Sequence, residues 1–301
     1  MVNLSVEIAG VKLKNPVMPA SGTFGSGMMY SQFIDLSKLG AVVVKGVSLA
    51  PWDGNPACRV AEATSGMLNS IGLQNPGAEA FLDTDLPFLK RFGTKVIVNI
   101  CGHSIEEYEA VAQRFKAEPV DMLELNISCP NVAQGGIAFG TDAKLVEKCV
   151  SAVKLKSRQP VIAKLSPNVT DITEIARAAE AGGADAISLV NTLLGMKIDI
   201  KKRAPVLGNA YGGLSGPAIM PVAVRMTHQV SRAVKLPIIG MGGIASAEDA
   251  VEFMMAGATA IAVGTANFKN PKVMIDIIKG IEDFMKETGV DDVNDFRKML
   301  S

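Results

Sequence analysis

Apolar residues fall along this chain in short, nearly unbroken runs, and the spacing changes between them. Eight runs stand out: Pro16–Gly22, Ala41–Gly46, Lys95–Ile100, Met122–Ser128, Pro160–Leu165, Ala186–Thr192, Pro237–Gly243 and Ala260–Thr265. A strand covered on both faces has no solvent side to mark with alternating polar residues, so runs of this length predict buried parallel strands. Between them the period becomes helical. Ile172, Ile175, Ala176 and Ala179 share one face of a predicted helix. Further helices are predicted between the first run and Gly40, from about Thr141 to Ser157, and from Ala247 to Ala256, the last closed by Gly257. Ser104 and Glu107 have the spacing of a capping box at the start of another. Strands alternating with helices imply a parallel sheet, and eight such units can close on themselves. The pattern therefore predicts an α/β fold, a (β/α)8 TIM barrel in which residues 1–301 form one domain.

Two features lie outside that rhythm. Val6 to Lys14 alternates and turns at Gly10, which predicts an N-terminal hairpin at the base of the barrel. Long excursions run from Ser48 to about Ala78, rich in Gly, Pro and Asn, and from Leu193 to Gly216, which carries Lys197, Lys201, Lys202 and Arg203. Both leave from the C-terminal ends of strands, where long loops wall or cover an active site.

Composition narrows the classes of function. Hydrophobic residues make up 48% of the chain, enough for a large core, and 30 basic residues balance 30 acidic ones. A neutral chain carries no electrostatic footprint for nucleic acid or an anionic membrane. No run of 18 apolar residues occurs and the N-terminus lacks a signal-peptide pattern, so a cytoplasmic protein is expected. Cys58, Cys101, Cys129 and Cys149 are widely spaced, without a C-x-x-C pair, which gives no zinc or iron–sulfur motif.

Candidate chemistry gathers at the strand ends: Ser21, Lys45, Asn99, Asn126, Cys129, Lys164, Asn191, Thr192, Gly242, Gly243, Gly264 and Thr265. This set holds amides and lysines but no carboxylate and no histidine, so metal-assisted hydrolysis and glycosidase chemistry lack their parts. It suits a bound anion and an uncharged polar ring. Gly242-Gly243 and Gly264-Thr265 follow the seventh and eighth strands, where barrels commonly bind phosphate through backbone N–H groups. The third glycine of a dinucleotide fingerprint is missing after Gly240 and Gly242, which favours flavin mononucleotide (FMN) or a sugar phosphate. Lys164 can be a Schiff-base nucleophile, a stabiliser of negative charge on a reduced flavin, or a salt-bridged lysine at the barrel mouth. Lys45 divides similarly, with a substrate carboxylate as one partner. Cys129, followed at once by Pro130, places a thiol at the lip of the fourth strand, either as a proton acceptor or as a small buried side chain.

Taken together, the motifs resemble those of the class 1 dihydroorotate dehydrogenases, most closely the catalytic subunit of the NAD-linked class 1B. They include A-S-G-T-F-G-S-G at Ala20 to Gly27, V-V-K-G at Val43 to Gly46, N-S-I-G-L-Q-N-P-G at Asn69 to Gly77 and N-I-S-C-P-N at Asn126 to Asn131. V-N-T at Val190 to Thr192, G-G-L-S-G-P at Gly212 to Pro217, G-M-G-G-I at Gly240 to Ile244 and V-G-T at Val263 to Thr265 complete the set. The resemblance implies oxidation of dihydroorotate to orotate in pyrimidine biosynthesis, with Cys129 as the base and FMN as the hydride acceptor. It implies an FMN set of Ser21, Lys45, Gly46, Asn99, Asn126, Lys164, Val190, Gly216, Gly242, Gly243, Gly264 and Thr265. The implied substrate set is Lys45, Asn69, Ser70, Ile71, Gly72, Leu73, Asn126, Asn191 and Thr192. It further implies a partner subunit carrying FAD and a [2Fe-2S] cluster, in a heterotetramer built on a dimer of catalytic chains. A fumarate-linked class 1A homodimer, a Schiff-base lyase and a non-catalytic flavin carrier are the alternatives that the residues leave open.

Overall fold

The computed structural model describes residues 2–127 and 139–300. Its centre is a ring of eight parallel strands: Val17–Pro19, Ala41–Val43, Lys95–Ile100, Met122–Asn126, Val161–Lys164, Ala186–Leu189, Ile238–Met241 and Ala260–Val263. Hydrogen-bonded ladders link them from the first strand to the eighth and then back through the seventh to the second. Apart from Lys95, every residue in these strands is buried, which is why the sequence shows runs without alternation. The register sets Asn99 beside Glu124, and Asn126 beside Lys164. Neighbouring strands thus bring polar side chains to matching heights.

The first and second strands meet without a ladder. Instead the Gly40 N–H donates to the Val17 carbonyl at 2.9 Å. Here the backbones come so close that a Cβ on Gly40 would stand 2.1 Å from the Asn15 carbonyl oxygen. Only glycine lets the ring draw together at this point.

Six long helices pack around the strands: Ile105–Phe115, Ala143–Lys156, Ile172–Ala181, Met220–Ala233, Ala247–Met255 and Val273–Thr288. The predicted stripe on the third of these is buried at Ile172, Ile175, Ala176 and Ala179. Ser104 caps the first by accepting from the Glu107 N–H at 3.3 Å, while the Glu107 carboxylate accepts from the His103 N–H at 2.7 Å. The carboxylate therefore reaches one residue beyond the N-cap that a capping box would engage. Ser246 and Asp249 do close a reciprocal capping box. The hairpin of Val6–Ile8 with Val11–Leu13 lies where the alternation predicts, with Ile8 and Leu13 buried.

Three regions depart from the sequence pattern. No α-helix follows the first strand; the chain makes two 3-10 turns, Tyr30–Gln32 and Leu36–Lys38, after Gly25 and Gly27 adopt φ of +60° and +84°. Those left-handed residues stop a helix from starting early. Second, the ladders stop short of the apolar runs, at Val43 and Leu189, so the residues beyond are released to the mouth of the barrel. Third, the two excursions are not loops alone. Leu193–Met196, Tyr211–Ser215, Gly66–Asn69 and Val60–Ala63 pair in that order into a four-stranded antiparallel sheet that roofs the barrel. Its own core is small, consisting of Ala61, Leu68 and Leu207.

Candidate active site

A cavity of about 600 Å³ lies between the C-terminal ends of the barrel strands and the roof. Every residue of the two sets implied by the resemblance that falls among the described residues lines it. Cys129 lies outside the described residues. The lining holds seven asparagines and two lysines, with no carboxylate and no histidine among its described residues. Such a wall offers both hydrogen-bond donors and acceptors to a polar ring, and positive charge to an anion.

The floor is a relay of side chains reaching between strands. Glu124, on the fourth strand, is 1% exposed and accepts from Asn99 Nδ2 at 2.6 Å and from Ser188 Oγ at 2.8 Å. Asn99 Oδ1 in turn accepts from Asn126 Nδ2 at 3.2 Å. The Asn126 Oδ1 is buried and has no hydrogen-bond partner among the described residues. A buried acceptor left so costs about 1–3 kcal/mol unless a ligand donor fills it. Tyr108 holds the same residue by its backbone, its hydroxyl donating to the Asn126 carbonyl at 2.6 Å.

Two cations stand above this floor. Lys164 Nζ donates to Ser21 Oγ at 3.0 Å, joining the ends of the fifth and first strands. Lys45 lies just beyond the second strand and its backbone N–H donates to the Gly25 carbonyl at 2.9 Å. Burial holds the Lys45 amine below its ordinary value, Cys101 partly offsets this, and Lys164 and Arg59 press the same way as burial. An anionic ligand group beside Lys45 would favour the charged amine and so oppose the shift.

The roof supplies the opposite wall. Residues 69–73 are held by two asparagines outside their own strand. Asn75 Oδ1 accepts from the backbone N–H groups of Ser48 at 3.1 Å and Gly77 at 2.9 Å, while its Nδ2 donates to the Leu73 carbonyl at 2.9 Å. Asn55 donates to the Ser70 carbonyl at 3.2 Å and to Ser70 Oγ at 3.0 Å. Asn168 ties the far side, donating to the Thr192 carbonyl at 3.0 Å and accepting from the Leu194 N–H at 2.9 Å.

At the other end of the cavity the glycine loops meet the roof. Thr265 Oγ1 donates to Ser215 Oγ at 2.7 Å. Gly243 has φ of +91°, and a Cβ there would stand 3.1 Å from the Gly216 carbonyl and 2.6 Å from Met220 Cβ, so the two loops close into one cradle. A Cβ on Gly264 would touch only Ala20, at 3.8 Å, and would otherwise occupy the space the cradle leaves. Bare backbone beside open volume suits a phosphate group.

Several residues of this site escape a reading of the strand ends. Glu124 sits inside an apolar run, and its partners are 25 and 64 residues away, so no local signal marks it. Asn55, Asn75 and Asn168 lie in turn-rich segments where asparagine is ordinary. Two of the remaining cysteines lie away from the cavity lining: Cys58 is exposed, Cys149 is buried in the helix layer, and burial pushes the Cys149 thiol up to about 12. Cys101 is fully buried beside Gly46, where a Cβ would come within 3.6 Å of its sulfur.

Fold and site define the class: an α/β barrel with a cavity lined by amides, two lysines and glycine loops at the C-terminal ends of its strands. The family model described as dihydroorotate dehydrogenase matches residues 3–285, so the chain belongs to the dihydroorotate dehydrogenase family. A Lachnoclostridium phytofermentans protein named dihydroorotate dehydrogenase B (NAD(+)), catalytic subunit, is 63% identical over 294 residues, covering 98% of each chain. Proteins of the same name from Alkaliphilus oremlandii and Alkaliphilus metalliredigens are each 60% identical, covering 97% and 99% of both chains respectively. No helix among the described residues is long and apolar enough to cross a membrane.

Proposed function

We propose that this chain is the catalytic subunit of an NAD-linked dihydroorotate dehydrogenase, oxidising (S)-dihydroorotate to orotate in pyrimidine biosynthesis. The reaction removes a proton from C5 and a hydride from C6, leaving the ring double bond. When bound, FMN supplies the acceptor for that hydride and a route for two electrons out of the site. One observation carries the reading: a cavity with no carboxylate among its described residues joins a bare glycine cradle to a polar floor whose buried Asn126 Oδ1 has no donor among the described residues.

The residues divide the work. Gly216, Gly242, Gly243, Gly264 and Thr265 hold the cofactor phosphate. Ser21, Gly46, Asn99, Asn126, Lys164 and Val190 line its ring, with the Lys164 ammonium placed to stabilise negative charge that develops there. Lys45 receives the substrate carboxylate and faces both ligands. Asn69 to Leu73, with Asn126, Asn191 and Thr192, would hold the pyrimidine against the cofactor. The Cys129 thiolate takes the C5 proton. A free thiol has a pKa of about 8.5, so turnover rises with pH through that range unless the site lowers it.

Electrons leave through a partner subunit carrying FAD and a [2Fe-2S] cluster, within a cytoplasmic heterotetramer built on a dimer of these chains. The relatives' name, catalytic subunit, supports such a division between chains. The test uses the purified chain with and without the partner. Dihydroorotate should reduce its flavin in both cases, but NAD+ reduction should be fast only with the partner present. Fast NAD+ reduction by the chain alone would refute the division, and fast fumarate reduction would place the chain in the homodimeric class.

A further inference from the structure

The buried Glu124 carboxylate touches no ligand in the scheme above, yet it stands at the root of the floor. A carboxylate only accepts hydrogen bonds, so Asn99 turns its Nδ2 toward Glu124, at 2.6 Å. Each side-chain amide has one donating and one accepting end, and the choice therefore propagates. Asn99 is left offering Oδ1 to Asn126, and Asn126 must answer with Nδ2, at 3.2 Å. The Asn126 Oδ1 is then the end left over, buried on a residue that lines the cavity and with no partner among the described residues. Ser188 Oγ steadies the carboxylate from the sixth strand at 2.8 Å, and Tyr108 fixes the Asn126 backbone without constraining its amide.

We propose that Glu124 is a positioning residue that sets, through Asn99, which end of the Asn126 amide meets the ligand, and so makes the site select a ring N–H donor. Without it the two amides can turn over together and present Nδ2, a donor against a donor. The inference rests on the flavin and dihydroorotate reading of this cavity. Both the flavin and the pyrimidine carry a ring N–H, and the shared chemistry is an acceptor for one of them.

The test compares Glu124→Met, which keeps length but cannot accept, with Glu124→Gln, which can. In the glutamine variant Oε1 still accepts from Asn99 while Nε2 donates to Ser188 Oγ. Holoprotein is titrated with orotate and with N-methylated orotate, following the flavin absorbance. Apoprotein is titrated with FMN and with N3-methyl FMN. The wild type should prefer the unmethylated compound in at least one arm. Glu124→Met should lose that preference by about tenfold, the value of one well-placed hydrogen bond against an unpaired donor, and Glu124→Gln should keep it. Loss in the flavin arm assigns the donor to the cofactor, and loss in the orotate arm assigns it to the substrate.

A merely structural carboxylate would lower stability in Glu124→Met without changing the preference, and that result overturns the proposal. So does an equal loss in Glu124→Gln, which would point to charge rather than amide orientation. If the methionine variant does not fold, Glu124→Gln combined with Ser188→Ala carries the same test. There the glutamine amide is no longer oriented, and the preference should fall by about threefold relative to Glu124→Gln alone. No difference between those two overturns the proposal. A wild-type protein that binds neither FMN nor orotate overturns the reading of the cavity itself, an outcome distinct from all of these.

Discussion

The barrel wall and the roof above it solve opposite problems. In the wall, parallel ladders join strands that are buried on both faces, and Met18, Ile97 and, from the helix backing the seventh strand, Phe253 are among the large side chains shut away completely. In the roof, four short antiparallel strands share a core whose buried members among the described residues are Ala61, Leu68 and Leu207, while Val60, Leu194, Met196 and Tyr211 remain exposed. Full burial of one large apolar side chain contributes about 1.5–3 kcal/mol, so the wall holds the bulk of the folding free energy. The roof is held instead by polar ties such as Asn75 to Ser48 and Thr265 to Ser215. The contrast teaches where ligand selection can be built: on segments whose rearrangement leaves the barrel standing.

The comparison breaks most visibly in the wall. Phe253 is fully buried against Gly240, and Phe253→Ala should cost about 4 kcal/mol, read as a shift of the denaturation midpoint for the whole chain. A loss confined to activity would mean that the wall is not the structural unit described.

Next comes Lys45, where wall and roof share the cavity. Lys45→Met should weaken orotate binding about 100-fold, through loss of a partly buried partner for the carboxylate. The same change should raise the Tm of the apoprotein by about 2 °C. The sign follows from burial, which holds this amine below its unfolded value in the folded chain. The folded state then binds protons less readily, so this lysine costs stability at neutral pH, and the cost disappears as pH rises through its lowered folded value toward the ordinary lysine range. Orotate affinity of the wild type should fall over the same alkaline range, and the methionine variant should lack that limb. A Tm that drops in Lys45→Met, or an alkaline limb that survives it, contradicts the assignment.

The smallest effect is expected in the roof. Leu68→Ala should open the roof sheet by about 2 kcal/mol, since a cluster of three side chains can relax around the gap. Limited proteolysis between Met196 and Tyr211 should accelerate while the global unfolding midpoint moves little. Equal effects on both would make roof and wall one cooperative unit.

The same contrast decides what could be read from the sequence. Wall strands announce themselves because double burial forces continuous apolar runs, and all eight lie where those runs lie. The mouth residues were legible for a related reason: Lys45, Asn126 and Lys164 end apolar runs where a polar residue has no other place to go. Roof strands such as Gly66–Asn69 were not legible, because pairing across 144 residues of chain, as between Asn69 and Gly213, leaves no local period. The helix expected before Gly40 failed on the conformations of Gly25 and Gly27, which the hydrophobic pattern does not encode. Glu124 was hidden for the opposite reason to Lys45, standing inside a run rather than at its end, with partners supplied only by barrel closure.

The central claim is the proposal that dihydroorotate gives its hydride to the bound flavin while Cys129 takes the proton. It is tested most directly by mixing the yellow purified chain with dihydroorotate under anaerobic conditions and following the flavin absorbance. Bleaching should be rapid in the wild type and slower by about 10³-fold in Cys129→Ala, with orotate affinity retained. Bleaching as fast in the alanine variant as in the wild type would contradict the account.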